Sequence, residues 1–207
     1  RRFPNGGYSF FYRKENMPPV DSSAVLKQIN KQYDAVYILF WQGMLSFQTV
    51  ERIYDKLRCQ IHFLCVDYSP MSGGCHFTCD CNRYKIGCGK CPAFKSNDEN
   101  DFTRWNVKYR RRVYDKVKPI VYGNTYMHKF YNESFLLKSV RKEKCLPLID
   151  NTIYYPYDKI KLRAKYNIPS EVNFIIFFGC QNLDDPRKGM NLLLKSLNLF
   201  YERVKEN

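Results

Sequence analysis

The sequence predicts an α/β fold built on a parallel sheet, and three observations carry that prediction. Apolar runs of strand length, 60–66 and 172–178, are continuous rather than alternating, as strands buried on both faces are. A third run, 35–40, has the same character. A helical stretch separates 35–40 from 60–66 with short connections, and strand, helix, strand in that order is a βαβ unit.

Taken in order, residues 1–20 carry Gly6-Gly7 and Pro18-Pro19, with Tyr8 to Tyr12 as a short candidate strand. Asp21-Ser22-Ser23 offers an N-cap for a helix over Ala24 to Lys31. Ala35 to Phe40 then reads as a buried strand. From about Ser46 a helix places Val50, Ile53, Tyr54 and Leu57 on one face. Gln60 to Val66 is the next strand, and a glycine- and cysteine-rich insert follows its carboxyl end, where open parallel sheets bind ligands.

Beyond the insert, Asp98-Glu99-Asn100-Asp101 leads into a basic helix over Phe102 to Lys116. Pro119 to Tyr122 reads as a strand, a helix runs to about Lys138, and a short extended run lies near Cys145 to Ile149. Asp150 to Pro156 reads as a linker. A helix over Asp158 to Tyr166 then precedes Val172 to Phe178, the clearest strand pattern in the chain. Gly179 to Gly189 joins it to an amphipathic helix bearing Leu192, Leu193, Leu197 and Phe200. Strand, glycine-bearing loop and helix start form a phosphate-cradling arrangement. The loop is neither a Walker A sequence nor G-x-G-x-x-G.

The 207 residues suggest about one and a half domains, and the chain stops inside a helical pattern, so it reads as a fragment. Lys and Arg number 34 against 20 Asp and Glu, a net charge of +14 that favours an anionic partner: nucleic acid, a membrane face or a sugar nucleotide. The charges are scattered, with short runs such as Arg110-Arg111-Arg112, so a solvated surface explains them equally well. No apolar run reaches the ~18 residues of a spanning helix, and no signal peptide is visible. Nine cysteines, an odd number, fit a reducing cytoplasm better than a disulfide framework. Cys59, Cys65, Cys145 and Cys180 look like buried fillers.

Five of the nine cysteines fall between positions 75 and 91. Cys75, Cys81, Cys88 and Cys91 are spaced C-x5-C-x6-C-x2-C, and tetrahedral zinc needs four soft ligands brought within ~4 Å of each other by tight turns. The glycines at 73, 74, 87 and 89 permit such turns. Structural zinc, unligated packing thiols and a reversible disulfide all remain open, and Cys79 could replace Cys81. His76 reads as a hydrogen-bonding group, a loop-stabilising side chain or a further zinc ligand. Asp67, at the end of a strand, could position a hydroxyl, act as a base or cap the loop's N–H groups. His62 and His128 carry no assignable role.

These motifs together resemble glycosyltransferase family 4, retaining enzymes with two facing Rossmann-like domains, the GT-B fold. The similarity is closest to a capsular or exopolysaccharide-type subgroup with D-M-x-P-x-[TS]-G-G-C-H-[YF], then D-C, then G-C-G-x-C-P. Asp67, Pro70, Ser72 to Phe77, Asp80-Cys81 and Gly87 to Pro92 fit that run. Leu148-Ile149-Asp150, Tyr155-Pro156, Asp158-Lys159 and Leu162-Arg163 resemble the family's interdomain passage, and Phe177 to Gly189 its F-F-G-x-x-N-x-x-x-x-R-K-G segment. The resemblance covers about residues 33 to 200.

It implies an acceptor-side Rossmann-like domain over 1–155, carrying the insert 67–99, and the start of a nucleotide-sugar-binding domain over 156–207. Gly179, Arg187 and Lys188 would hold the donor's diphosphate, with Arg187 standing in for the family's arginine at Cys180. Asp67 and His76 would be the catalytic candidates, His76 facing the interdomain cleft. The family's His before Asp67 is Val66 here, its glycine-rich loop would precede residue 1, and its paired acidic motif would follow Asn207; the fragment by itself is therefore expected to be inactive. The implied reaction moves a sugar from a nucleotide-sugar donor to a saccharide or lipid-linked acceptor in cell-surface polysaccharide synthesis. It needs no metal for the chemistry, involves no nucleic acid, and belongs to the cytoplasm or the inner membrane face, with peripheral membrane contact. The alternative is a basic zinc-binding module that grips nucleic acid.

Overall fold

A computed structural model describes residues 14–145 and 149–205. The chain divides into two compact units, Arg1–Pro147 and Leu148–Asn207.

Among the described residues the first unit is α/β, with a four-stranded, all-parallel sheet in the order β1-β2-β3-β4. The strands are β1 (Ala35–Ile38), β2 (Gln60–Cys65), β3 (Ile120–Gly123) and β4 (Arg141–Lys144). Between or before them lie α1 (Ser22–Gln28), α2 (Phe47–Leu57), α3 (Phe102–Val117) and α4 (Thr125–Glu133). Three of these four helices start on a side-chain cap, while Ser46 ahead of α2 makes no cap hydrogen bond. Asp21 accepts from the N–H groups of Ser23 and Ala24, Asp101 from those of Thr103 and Arg104, and Asn124 from that of Met127. Helices α2 and α3 end in left-handed residues, Arg58 and Lys118, whose N–H groups donate back to Tyr54 and Tyr114.

Period-two alternation divides the sheet's side chains. Ile38, Ile61, Phe63 and Val121 join Val50, Ile53 and Leu57 of α2 and Val107, Val113, Tyr114 and Val117 of α3 in one core. On alternate residues Tyr37, His62 and Tyr122 form a stack, with ring centroids 4.4 and 5.6 Å apart. His62 loses proton affinity to burial and then to the charge of Arg141.

Several sequence expectations need correction. Strand β1 stops at Ile38; Leu39 and Phe40 are exposed, as is Tyr37 at this sheet edge. The helix expected over 24–31 is α1, Ser22–Gln28, ending where Ile29 turns extended. The extended run expected near 145–149 falls largely outside the described residues, and the sequence did not anticipate β4, a polar edge strand just before it, whose backbone pairs with β3 although its side chains are Arg, Lys, Glu and Lys. Cys65 is a buried filler, but Cys59, Cys145 and Cys180 are only partly buried. The candidate strand at Tyr8–Tyr12 lies outside the described residues.

The second unit contains α5 (Lys159–Lys165), capped by Asp158, and α6 (Met190–Lys205). Val172 to Phe178 is not a strand. The described residues of this unit offer it no strand to pair with, and Phe174 and Phe177 are 88% and 90% exposed. A continuous apolar run predicts burial, but only a paired neighbour makes it a strand. Among the described residues no helix is long and apolar enough to cross a membrane.

Candidate functional site

The insert leaves β2 at its carboxyl end and returns through α3, whose amino end therefore lies at the same edge of the sheet. Tyr68, Met71, Tyr84 and Cys88 enter the main core alongside Phe63 and Val121, so the insert is part of the first unit and not a domain of its own. Its anchor is a buried ion pair. Arg110 of α3 donates from Nε to Glu15 Oε1 at 2.7 Å and from Nη1 to the carbonyls of Ser69 and Ser72. Glu15 also accepts from the Phe47 N–H at 2.8 Å, while Asn106 accepts from the Glu15 N–H and donates to the Gly73 carbonyl. One arginine thus ties the first described residues, α2, α3 and the insert together. Every partner is a charge or a backbone group, which is what a buried guanidinium needs.

Asp67 follows β2 by two residues and is 3% exposed. Its Oδ1 accepts the Ser69 N–H at 2.8 Å, and its Oδ2 meets His76 Nδ1 in a short contact. The His76 carbonyl accepts the Tyr68 N–H at 2.8 Å, so the histidine is fixed from backbone and ring together. The eight-residue loop between them therefore closes into a carboxylate-held imidazole, an arrangement that fixes both ring orientation and tautomer. With Nδ1 donating to Asp67, Nε2 carries the ring's lone pair in the neutral form. Asp67 and His76 are brought together as a pair that the sequence presented only as separate candidates.

The four cysteines C-x5-C-x6-C-x2-C converge on one cavity of about 20 Å³ lined by Cys75, Cys81, Cys88 and Cys91 with Gly73 and Thr103. Cys79 is exposed and does not line it, which decides between Cys79 and Cys81. Burial pushes the Cys75 thiol well up, with charge at Cys88, Cys91 and Cys81 adding to it. Burial likewise raises Cys88 to about 11 and Cys91 to about 12, against N–H donation from Gly73 and Ala93. Such thiols stay protonated at neutral pH and are poor nucleophiles. Among the described residues, no group of three or more His, Cys, Asp or Glu side chains stands in an arrangement that holds a metal ion.

Close backbone approach explains two of the glycines. A Cβ at Gly73 would lie 2.4 Å from the Thr103 carbonyl oxygen, and one at Gly89, where φ is +85°, would lie 2.2 Å from that of Glu99. The C-x2-C turn is pinned to the start of α3, because Gly89 N–H donates to Thr103 Oγ1 and Cys91 N–H to Asp101 Oδ2.

In the second unit, Lys188 ends a short 3-10 turn, Pro186–Lys188, and is exposed ahead of α6. Gly179 is exposed at the end of the apolar run. Arg187 is held by Asp185, Nη2 to Oδ2 at 2.6 Å and Nε to Oδ1 at 3.0 Å. The expectation that Arg187 supplies a second charge to a phosphate therefore meets a carboxylate already in its place, because Asp185 caps the same turn.

Several arginines of the first unit are paired with carboxylates. Besides Arg110, Arg112 and Lys116 pair with Glu51, and Arg83 and Arg104 pair with Glu99. Glu51 is held below the ordinary carboxylate range chiefly by Arg112. Sequence reasoning missed Arg110 and Glu15; the only signal was an arginine at the buried spacing of α3, three residues before Val113 and three after Val107. Comparison of the chain with protein-family models, with curated proteins and with solved structures finds no match.

Proposed function

We propose that this chain belongs to a retaining sugar transferase of the GT-B kind that its motifs resemble, moving a sugar from a nucleotide-sugar donor to a saccharide or lipid-linked acceptor at the cytoplasmic face of a membrane. The observation that carries the reading is the Asp67–His76 pair at the carboxyl edge of a parallel sheet, where α/β proteins place their ligands. A Rossmann-like acceptor domain fits the four parallel strands with intervening helices.

In the reaction the anomeric carbon loses its bond to the diphosphate, which leaves with the bonding electrons, and gains a bond to an acceptor hydroxyl oxygen. Front-face transfer sends the hydroxyl proton to the departing phosphate oxygen. The task of the pair is then to hold the acceptor: His76 Nε2 accepts a hydrogen bond from a neighbouring acceptor hydroxyl, and Asp67 keeps the ring in place. Lys188 offsets charge growing on the diphosphate, and Arg187 contributes only if it leaves Asp185. No metal is needed for these steps. The alternative, a nucleic-acid grip, draws little support from arginines that are already paired with Glu15, Glu51 and Glu99.

Transfer of labelled sugar from a panel of nucleotide-sugars into a membrane lipid extract, by this chain joined to the flanking segments that the resemblance implies, tests the reading, with measurable wild-type incorporation as its starting point. His76→Ala should lower incorporation about a hundredfold through lost positioning while leaving the fold intact. Equal incorporation by the folded variant removes His76 from the site. Stabilisation of the chain by an oligonucleotide, steeply weakened by salt, with none by any nucleoside diphosphate, would overturn the transferase reading in favour of the alternative.

A further inference from the structure

We infer that the cavity bounded by Cys75, Cys81, Cys88 and Cys91 is a structural zinc site that locks the insert onto the amino end of α3. The cavity, about 20 Å³, has room for roughly one water-sized occupant, and it is lined by four sulfurs drawn from three separate stretches of the insert. Four thiols facing one another without an ion is a poor use of buried space: sulfur is a weak hydrogen-bond partner, and none of the four is in a disulfide. A tetrahedral thiolate set uses all four at once and closes the loop that no other cross-link closes.

The backbone is already set for ligation. Residues 87 to 90 all have positive φ, at 90°, 59°, 85° and 43°, and two of them, Cys88 and Lys90, are not glycine. Conformations of that kind persist only where the surroundings over-determine them. Here the N–H groups of Cys88, Gly89, Lys90 and Cys91 are each committed, to Arg83, Thr103, Asp98 and Asp101 in turn. The Gly73 N–H donates to Cys88 Sγ at 3.3 Å, and the Ala93 N–H to the Cys91 sulfur. Amides aimed at sulfur stabilise thiolate charge and orient ligands, the part that outer contacts play around metals. Among the described residues no three of these side chains stand in ligating geometry, so ligation draws the four sulfurs together around the cavity centre. Each thiol gives up its proton to solvent as its sulfur binds.

The site does not depend on the transferase reading. It is tested on the whole chain purified with a phosphine reductant and no chelator. Metal analysis should find about one zinc per chain. Cobalt exchanged for it should show the thiolate charge-transfer and tetrahedral ligand-field bands. Cys88→Ser with Cys91→Ser should cut zinc affinity at least about tenfold, whereas Cys59→Ser with Cys145→Ser should leave it unchanged. Should the first double variant not fold, mercurial titration of the wild type gives the same answer, with zinc released as four thiols react. Zinc-free wild-type protein, cobalt bands without thiolate character, or full zinc retention by Cys88→Ser with Cys91→Ser would each overturn the site.

Discussion

Two stretches with strong sequence signatures meet opposite fates. The insert 67–99 has little continuous apolar sequence, yet it contributes Met71, Tyr84 and Cys88 to the core, and its backbone is tied down by Arg110, Asp101 and Thr103. The run 172–178 is among the most apolar in the chain, yet Phe174 to Phe177 are exposed and none of it is a strand. The difference teaches that hydrophobicity states a demand for partners and does not supply them. Polar groups that find one another across long sequence distances, such as Glu15 and Arg110, organise a segment that apolarity alone would leave undefined.

The comparison is broken most forcefully at Arg110. Arg110→Met leaves the Glu15 carboxylate buried and removes donors from the carbonyls of Ser69 and Ser72, so unfolding free energy should fall by about 3–5 kcal/mol. Urea denaturation measures it. A loss below about 1 kcal/mol would mean that the insert is held by its own turns. Gly73→Ala asks the same of the contact with α3. Its Cβ would press on the Thr103 backbone, and a cost of about 1–3 kcal/mol is expected in the same assay. At the other end, Phe177→Ser should change stability by no more than about 0.5 kcal/mol, since the ring is 90% exposed. A loss comparable to that of a core phenylalanine would show Phe177 to be covered in solution and would erase the contrast.

Much of the first unit was legible in the sequence because its signals are local. Asp21, Asp101 and Asp158 cap helices that start within a residue or two of the expected positions, whereas the helix expected to run to about Lys138 is α4, which Asn124 caps and which ends at Glu133. The buried face of α2, Val50, Ile53 and Leu57, follows from its spacing, and the cysteine spacing anticipated a common cavity. Strand β4 was missed because Arg141–Lys144 has no apolar alternation; the exposed backbone edge of β3 recruits it. Arg110 was missed because a run of three arginines looks solvated, and only the fold shows that one points inward while its neighbours pair with Asp115 and Glu51. Arg187 looked available to a phosphate because the sequence does not reveal that Asp185, two residues earlier, bends back to hold it.

The central claim is that folding of the insert creates an imidazole held in one orientation by a buried carboxylate. Nitrogen NMR of ring-labelled His76 tests it directly. A bond from Nδ1 to Asp67 Oδ2 requires a proton on Nδ1 whether the ring is neutral or charged. The spectrum should therefore show a protonated Nδ1 in the wild-type chain, with that signature altered in Asp67→Asn. An unprotonated Nδ1, with the proton on Nε2 alone, would contradict the pair and the acceptor site built on it.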